Sequence, residues 1–329
     1  MFNAYFLRRG YHFSMVGDVV AWVDSGGFLF LDAPQRRLAG LHGVGRGGAL
    51  PSSGWSEDLV AEVLERQERF GASVAFTLDY PLPAESQLDP GCCPGEVYRR
   101  LRATAAAAGI AYQLRSRRSM KILVVLQYNG TEALRVLLHM LRRELRERAG
   151  IGLDEVDGYA VGGLVPHSAK WWLITRRLQE ARRLLGWSAW IHLLGVASPH
   201  NIALFYQAGA DSMDSKTYII AAAKRLYYQP PGTKPARIDL RRTNGDKPSC
   251  QCPACQAAET MEALRNNTKL LALHNLHVTL AAGREATRLY EEEKLWETLR
   301  ERAKQSPRLR KALREITTPR QSQPHPILA

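Results

Sequence analysis

Short, continuous apolar runs separated by amphipathic stretches dominate the first two thirds of the chain. Residues 19–23 (Val-Val-Ala-Trp-Val), 73–78 (Ser-Val-Ala-Phe-Thr-Leu), 121–126 (Lys-Ile-Leu-Val-Val-Leu), 159–161 (Tyr-Ala-Val) and 190–194 (Trp-Ile-His-Leu-Leu) predict strands buried on both faces. Between them, residues 57–70, 95–109, 132–148 and 171–185 predict helices; Leu59, Val60, Val63 and Leu64 give the first its apolar face. A further helix over 200–208 leads through Ser212-Met213 to Asp214. Such alternation predicts an α/β fold with a parallel sheet covered by helices. Polar or glycine residues close each run at its C-terminal end, where a (β/α)8 TIM-type barrel assembles its active site. Gly26-Gly27 and Gly162-Gly163 resemble phosphate loops only weakly, because neither sits in a G-x-G-x-x-G or G-K-[ST] context.

The pattern changes elsewhere. Residues 33–55, rich in Gly, Pro and Ser, read as a long loop. Residues 221–247 read as basic and loop-like, helices are expected over 258–278 and 285–304, and Pro307 separates a last basic helix from a tail over 319–329 expected to be disordered. Three regions are expected: a barrel core over 1–220, a basic loop with a cysteine knuckle and its helix over 221–285, and basic helices with a tail over 286–329. Eighteen residues precede Val19, room for one short strand, so the barrel is expected to have an abbreviated N-terminal part, closed by another segment or by a partner subunit.

Composition adds a compartment and a class of partner. At 329 residues and 45% hydrophobic content the chain can bury a sizeable core. No run of eighteen apolar residues or secretory leader pattern is present, and outside the knuckle the only cysteines are the adjacent Cys92 and Cys93. A cytoplasmic protein without a membrane partner is expected. The net charge of +13 is spread over arginine-rich patches near residues 115–118, 142–148 and 300–314, which favours a polyanion such as nucleic acid.

Two constellations carry candidate chemistry. Cys250-Gln251-Cys252-Pro253-Ala254-Cys255, followed by His274 and His277, offers three thiols and an imidazole for a closed structural Zn2+ site, with either histidine able to serve. Asp24, Asp79 and Asp214 each end or closely follow a different strand. Two carboxylates flanking a sugar can substitute a base at its anomeric carbon, one as nucleophile and one as acid/base, although periodicity does not assign the roles. A zinc deaminase would need H-x-E ahead of P-C-x-x-C, and the chain has no such arrangement. His167 and His192 read as core or mouth histidines.

Asp24-Ser25-Gly26-Gly27-Phe28, Asp79-Tyr80-Pro81, Leu126-Gln127, Ala160-Val161-Gly162-Gly163-Leu164, Leu194-Gly195-Val196, residues 209–215, the C-x-C-x-x-C knuckle and His274-Asn275-Leu276 occur in that order. Together they resemble the tRNA-guanine transglycosylase superfamily over residues 19–280. The resemblance implies a zinc-bearing barrel that exchanges a guanine in nucleic acid for a free 7-deazaguanine base. It makes Asp214 the nucleophile that holds the sugar as an ester and Asp24 the general acid/base. It places Asp79, Gln127, Gly163 and Leu164 on the base edge beside Ser25, sets Phe28 and Leu194 against the base's faces, and makes Cys250, Cys252, Cys255 and His274 the zinc ligands. The chain lacks the Leu-Pro-Thr-Arg that follows the nucleophile in the bacterial tRNA enzymes. Asp214-Ser215-Lys216-Thr217-Tyr218 is similar to the archaeal branch, but only a basic helix and tail follow the barrel here. On that ground DNA is the favoured substrate, tRNA the alternative, and a non-catalytic zinc-containing nucleic-acid-binding subunit the reading from another class; a homodimer or a complex with a partner subunit is the expected assembly.

Overall fold

The computed structural model describes residues 2–3, 21–25, 55–115, 120–233, 236–243 and 248–320, and the chain divides into two compact units. The first comprises Met1–Ser168 and Glu180–Leu194, the second Ala169–Gln179 and Gly195–Ala329.

In the first unit six strands pair in chain order, and every pair is parallel. They are β1 (Phe2–Asn3), β2 (Trp22–Asp24), β3 (Val74–Phe76), β4 (Lys121–Leu126), β5 (Tyr159–Val161) and β6 (Ile191–Leu193). Helices α1 (Glu57–Arg69), α2 (Pro94–Leu114) and α3 (Thr131–Ala149) make the crossovers after β2, β3 and β4. The crossover after β5 contains α4 (Trp171–Leu185), whose first nine residues group with the second unit. Parallel strands paired in sequence order, each followed by a helix, form the repeating unit of a TIM-type fold. Val74, Ala75 and Phe76, like Tyr159, Ala160 and Val161, are all buried, as continuous apolar runs require.

Local chemistry sets the helix limits. Ser56 starts α1 by accepting the Leu59 N–H on its hydroxyl at 3.2 Å, and Glu57 and Asp58 fill the first turn. Helix α2 runs five residues beyond the end expected at Gly109. A Cβ at Gly109 would meet the Arg148 and Glu144 side chains of α3 at 2.9 Å, so this glycine permits close helix packing and does not stop the helix.

The second unit carries α5 (Ile202–Ala208), β7 (Ser212–Met213), α6 (Thr217–Ala223), an antiparallel hairpin of β8 (Leu226–Tyr228) and β9 (Arg237–Asp239), and then α7 (Pro253–Ala258), α8 (Met261–Asn266), α9 (Thr268–Glu291), α10 (Leu295–Lys304) and α11 (Pro307–Leu313). The hairpin corrects the loop-like reading of this basic stretch. Its three-residue strands are too short to show alternation, and side chains far along the chain hold them. The helix expected over 258–278 is three helices, because Thr260 and Asn267 cap new starts. Helix α9 continues through Gly283, where a Cβ would meet open space; an isolated helical glycine costs only about 1 kcal/mol.

The expected disorder from residue 319 is also corrected at its beginning, since Arg320 is buried and bonded as described below. Residues 321–329, most of the loop expected over 33–55, and Phe28 lie outside the described residues. Among the described residues no helix is long and apolar enough to cross a membrane.

Candidate functional site

In the first unit the candidate residues gather where strands end. Asp24 is the last residue of β2 and Ser25 follows it, Asp79 lies three residues past β3, Gln127 directly follows β4, Gly162-Gly163-Leu164 follow β5, and Leu194 follows β6. The parallel pairing puts these ends on one edge of the sheet. Below them the side chains of Trp22, Phe76 and His192 pack as a ring cluster, with His192 centred 4.9 Å from Trp22 and 5.2 Å from Phe76. His192 thus serves the core, as expected, and buried His167 bonds the Ala84 carbonyl through Nε2 at 2.7 Å.

Asp79 is the centre of the cluster. Gln127 Nε2 donates to its Oδ2 at 2.6 Å, and the Ser25 hydroxyl reaches its Oδ1 at 3.5 Å. Burial, and after it the neighbouring Asp24 carboxylate, push the Asp79 pKa from 3.8 up to about 7, against the pull of the Gln127 and Ser25 hydrogen bonds. Near neutral pH Asp79 therefore exists in both charge states and can donate as well as accept.

The Gln127 carboxamide lies over a glycine cradle. A Cβ at Gly162 would stand 2.6 Å from its Nε2, and one at Gly163, where φ is +74°, 2.5 Å from its Oε1. Only glycine fits both places. Gln127 Oε1 is buried and has no hydrogen-bond partner among the described residues, which leaves an acceptor for an incoming N–H group. Leu164 is fully buried beside this cradle, and half-buried Leu194 packs against the cluster containing Phe76.

Two glutamines complete the surroundings without having stood out in the sequence. Gln67 on α1 donates from Nε2 to the carbonyls of Val23 and Phe76 at 2.9 and 3.0 Å, fastening β2 to β3 just before Asp24 and Asp79. Gln87 donates to the Tyr128 carbonyl at 2.8 Å and lies 3.6 Å from the Cβ position of Gly163. The one available signal was Gln67's place on the Val60–Leu64 face of α1, where a polar residue breaks an apolar stripe.

In the second unit Asp214 follows β7 directly. Its Oδ1 accepts the Gly195 N–H at 2.7 Å and its carbonyl accepts the Ala197 N–H at 3.1 Å, so the carboxylate is held by the backbone of the turn that begins with Gly195. Thr217 donates from its hydroxyl to the Ala197 carbonyl at 2.8 Å and accepts the Ser215 hydroxyl at 3.0 Å, which fixes the segment after the carboxylate.

The same unit forms a compact donor cluster. One ligand atom from each of Cys250, Cys252, Cys255 and His274 lies within 4.8 Å of every other, and all but half-buried Cys250 are buried. The C-x-C turn is closed by the Cys252 N–H pointing at Cys250 Sγ, 3.4 Å away, and Pro253 starts α7 so that Cys255 returns one turn later. His274 Nε2 donates to the Tyr228 carbonyl at 3.0 Å, leaving Nδ1 with its lone pair 3.2 Å from Cys255 Sγ and 3.5 Å from Cys252 Sγ. The Tyr227 ring stacks on the imidazole at 3.8 Å. Burial lowers the His274 pKa to about 4, keeping the ring neutral as a ligand must be, and raises the thiols of Cys250 and Cys255 in the absence of a cation. Three thiols, an oriented imidazole and a carbonyl behind it fit a closed tetrahedral metal site. His277 is exposed and outside the cluster.

Asn275, next to His274, anchors the hairpin. Its Oδ1 accepts the Tyr228 N–H at 2.9 Å and its Nδ2 donates to the Leu226 carbonyl at 3.0 Å. The His-Asn pair on α9 therefore orients the donor cluster and β8 together.

Comparison with known proteins identifies a family. The family model described as Queuine tRNA-ribosyltransferase matches residues 60–308. The tRNA-guanine(15) transglycosylase of Methanocaldococcus jannaschii is 28% identical over 262 residues, 78% of this chain and 37% of that protein. The enzyme of the same name from Haloferax volcanii is 29% identical, over 75% of this chain and 45% of its own length. The one from Korarchaeum cryptofilum is 26% identical over 94% of this chain and 47% of its own length. The matched segment thus spans less than half the length of each of these relatives. With its match extending from residue 60 to residue 308, the chain belongs to the queuine tRNA-ribosyltransferase family.

Proposed function

We propose that this chain is a tRNA-guanine transglycosylase that exchanges a guanine in tRNA for a free 7-deazaguanine base. The observation that carries the reading is the buried Asp79–Gln127 pair, whose unpartnered Gln127 Oε1 faces a cradle that only glycines allow, in a chain of this family. Such an edge suits a flat heterocycle carrying alternating N–H donors and acceptors. The named relatives are tRNA enzymes, and the expectation of a DNA substrate has no counterpart among them. We take the parallel sheet as part of a (β/α)8 barrel.

In this reading Asp214 attacks C1′ of the target nucleotide. The C1′–N9 bond breaks, guanine departs with a proton supplied through Asp24, and the sugar remains as an aspartyl ester. N9 of the incoming base then attacks C1′, the ester bond breaks, and Asp24 takes the N9 proton. Two displacements at one carbon retain its configuration. Ser25 orients Asp79; Asp79, Gln127, Gly163 and Leu164 hold the base edge, while Phe28 and Leu194 cover its faces. The target base must leave its stack to be gripped this way. Cys250, Cys252, Cys255 and His274 would hold a structural Zn2+ that fastens the hairpin, α7 and α9 without entering the chemistry.

The test is incorporation of radiolabelled guanine into bulk tRNA, single-stranded DNA and duplex DNA in parallel. Label should enter tRNA, and Asp214→Ala, if its circular dichroism and melting match wild type, should lose about 10³-fold or more of the rate. Undiminished exchange in that variant would remove the nucleophile assignment, and label entering DNA but not tRNA would overturn the substrate.

A further inference from the structure

The second unit contains a surface that the chemistry above does not use. Helix α10 buries Leu295, Leu299 and Ala303 on one face and turns Trp296, Arg300 and Lys304 outward at four-residue intervals. Helix α11 buries Leu309 and Ala312 and sets Arg310 outward, with Arg314 at its C-cap. Trp296, Arg300, Lys304, Arg310 and Arg314 line a groove of about 590 Å³. Across residues 295–314 seven Lys and Arg face two Glu.

We infer that this groove between α10 and α11 binds the phosphodiester backbone of the RNA substrate. The inference rests on the tRNA reading for its choice of polymer and on the groove itself for the contact.

The bland alternative, a solvated helix face, looks different in this protein. On α1 the arginines are neutralised within the helix: Arg66 pairs with Glu62, and Arg69 pairs with Glu65 at 2.9 Å. In the groove Arg300 and Arg314 make no ion pair among the described residues. The Arg300 guanidinium instead lies 5.2 Å over the Trp296 ring. Among the described residues Lys304 pairs only with Glu301, an exposed contact at 2.5 Å, which salt screens and a phosphate can replace. Arg310 sets the geometry by donating to the carbonyls of Ala303 and Lys304 at 3.2 and 2.8 Å, so its charge sits at the C-terminal end of α10. The outer side of α11 continues the pattern, with Arg308 centred 5.3 Å over Trp171 and Lys311 4.5 Å over Trp172.

Cations alternating with aromatic faces serve a polymer that offers both phosphates and unstacked bases. The family match ends at residue 308, so most of α11 lies beyond it.

The experiment compares wild type with Arg300→Ala/Lys304→Ala/Arg314→Ala, leaving Arg310 in place because it holds α10. End-labelled bulk tRNA is the probe, and fluorescence anisotropy is read from 50 to 300 mM salt. The triple variant should bind at least about tenfold more weakly at 100 mM salt, and its slope of log affinity against log salt should be shallower by about two. In guanine exchange it should show a raised KM and an unchanged kcat. Wild-type affinity and slope in a variant that melts like wild type would overturn the inference. The two readings fail separately. If wild type exchanges no base yet the triple variant still loses tRNA affinity, the activity falls and the groove stands; normal exchange with an unchanged KM in the triple variant removes the groove alone. Asp214→Ala should bind tRNA as wild type does.

Discussion

Asp79 shows how one buried acid links the candidate site to stability. Its folded pKa of about 7 lies above its ordinary 3.8, so folding favours the neutral form. The stabilisation from this group is complete below about pH 4 and is lost as pH rises through 7; three units correspond to roughly 4 kcal/mol. Asp79→Asn keeps a neutral polar group there and cannot ionise. The variant should therefore hold a flatter urea midpoint between pH 5 and 8, and the gap between wild type and variant should shift in the variant's favour as pH rises. Urea titrations at four pH values check this, and parallel curves would show that Asp79 does not titrate in that window. The sequence marked Asp79 because it closely follows an apolar run, but not its pKa, which is set by burial first and then by Asp24, Gln127 and Ser25 from other strand ends. Gln67's place on the apolar face of α1 was its only signal, and its role stayed hidden for a related reason: its two partners are strand carbonyls distant in the chain.

At the scale of elements, strands β4 and β5 were legible to the residue and α4 to both ends, because a buried parallel strand and an amphipathic helix each carry a period in their own residues. The hairpin and the segment that ends at Arg320 were not, because distant partners hold them. Arg320 is the clearest case. Its side chain and that of Asp211 are 1% and 3% exposed and 2.6 Å apart, and its guanidinium also donates to the carbonyls of Tyr206 and Ala210 at 3.0 Å. These contacts pin residue 320 to the end of α5 and to the residues just ahead of β7, three residues before Asp214. Removing one member leaves the other charged and buried, which costs about 3–5 kcal/mol. Arg320→Ala should lower unfolding free energy by that amount in urea titrations. Adding Asp211→Asn should restore part of it, a non-additivity that two independent surface contacts would not give.

For the whole molecule, the donor cluster lies within one of the two units, so in the proposed zinc reading metal removal should act on that unit selectively. Cys250, Cys252, Cys255 and His274 join the segment before α7 to α9, and through the Tyr228 carbonyl and Asn275 they join both to the hairpin. In the proposed reading a zinc ion on these four ligands ties the segments together, and its binding energy contributes directly to folding this unit. The first unit has a different anchor, the Trp22–Phe76–His192 cluster and the buried runs of β3 to β5. A tight chelator should therefore speed hydrogen exchange at the amides of residues 226–228 and 271–278 by two orders of magnitude or more, equivalent to about 3 kcal/mol or greater, while amides of residues 122–126 and 159–161 change little. Cys252→Ser should give the same pattern without chelator, together with a loss of bound zinc by elemental analysis. Equal acceleration in both sets would mean that the metal supports the chain globally, and no change in either would mean that the cluster holds its shape without one.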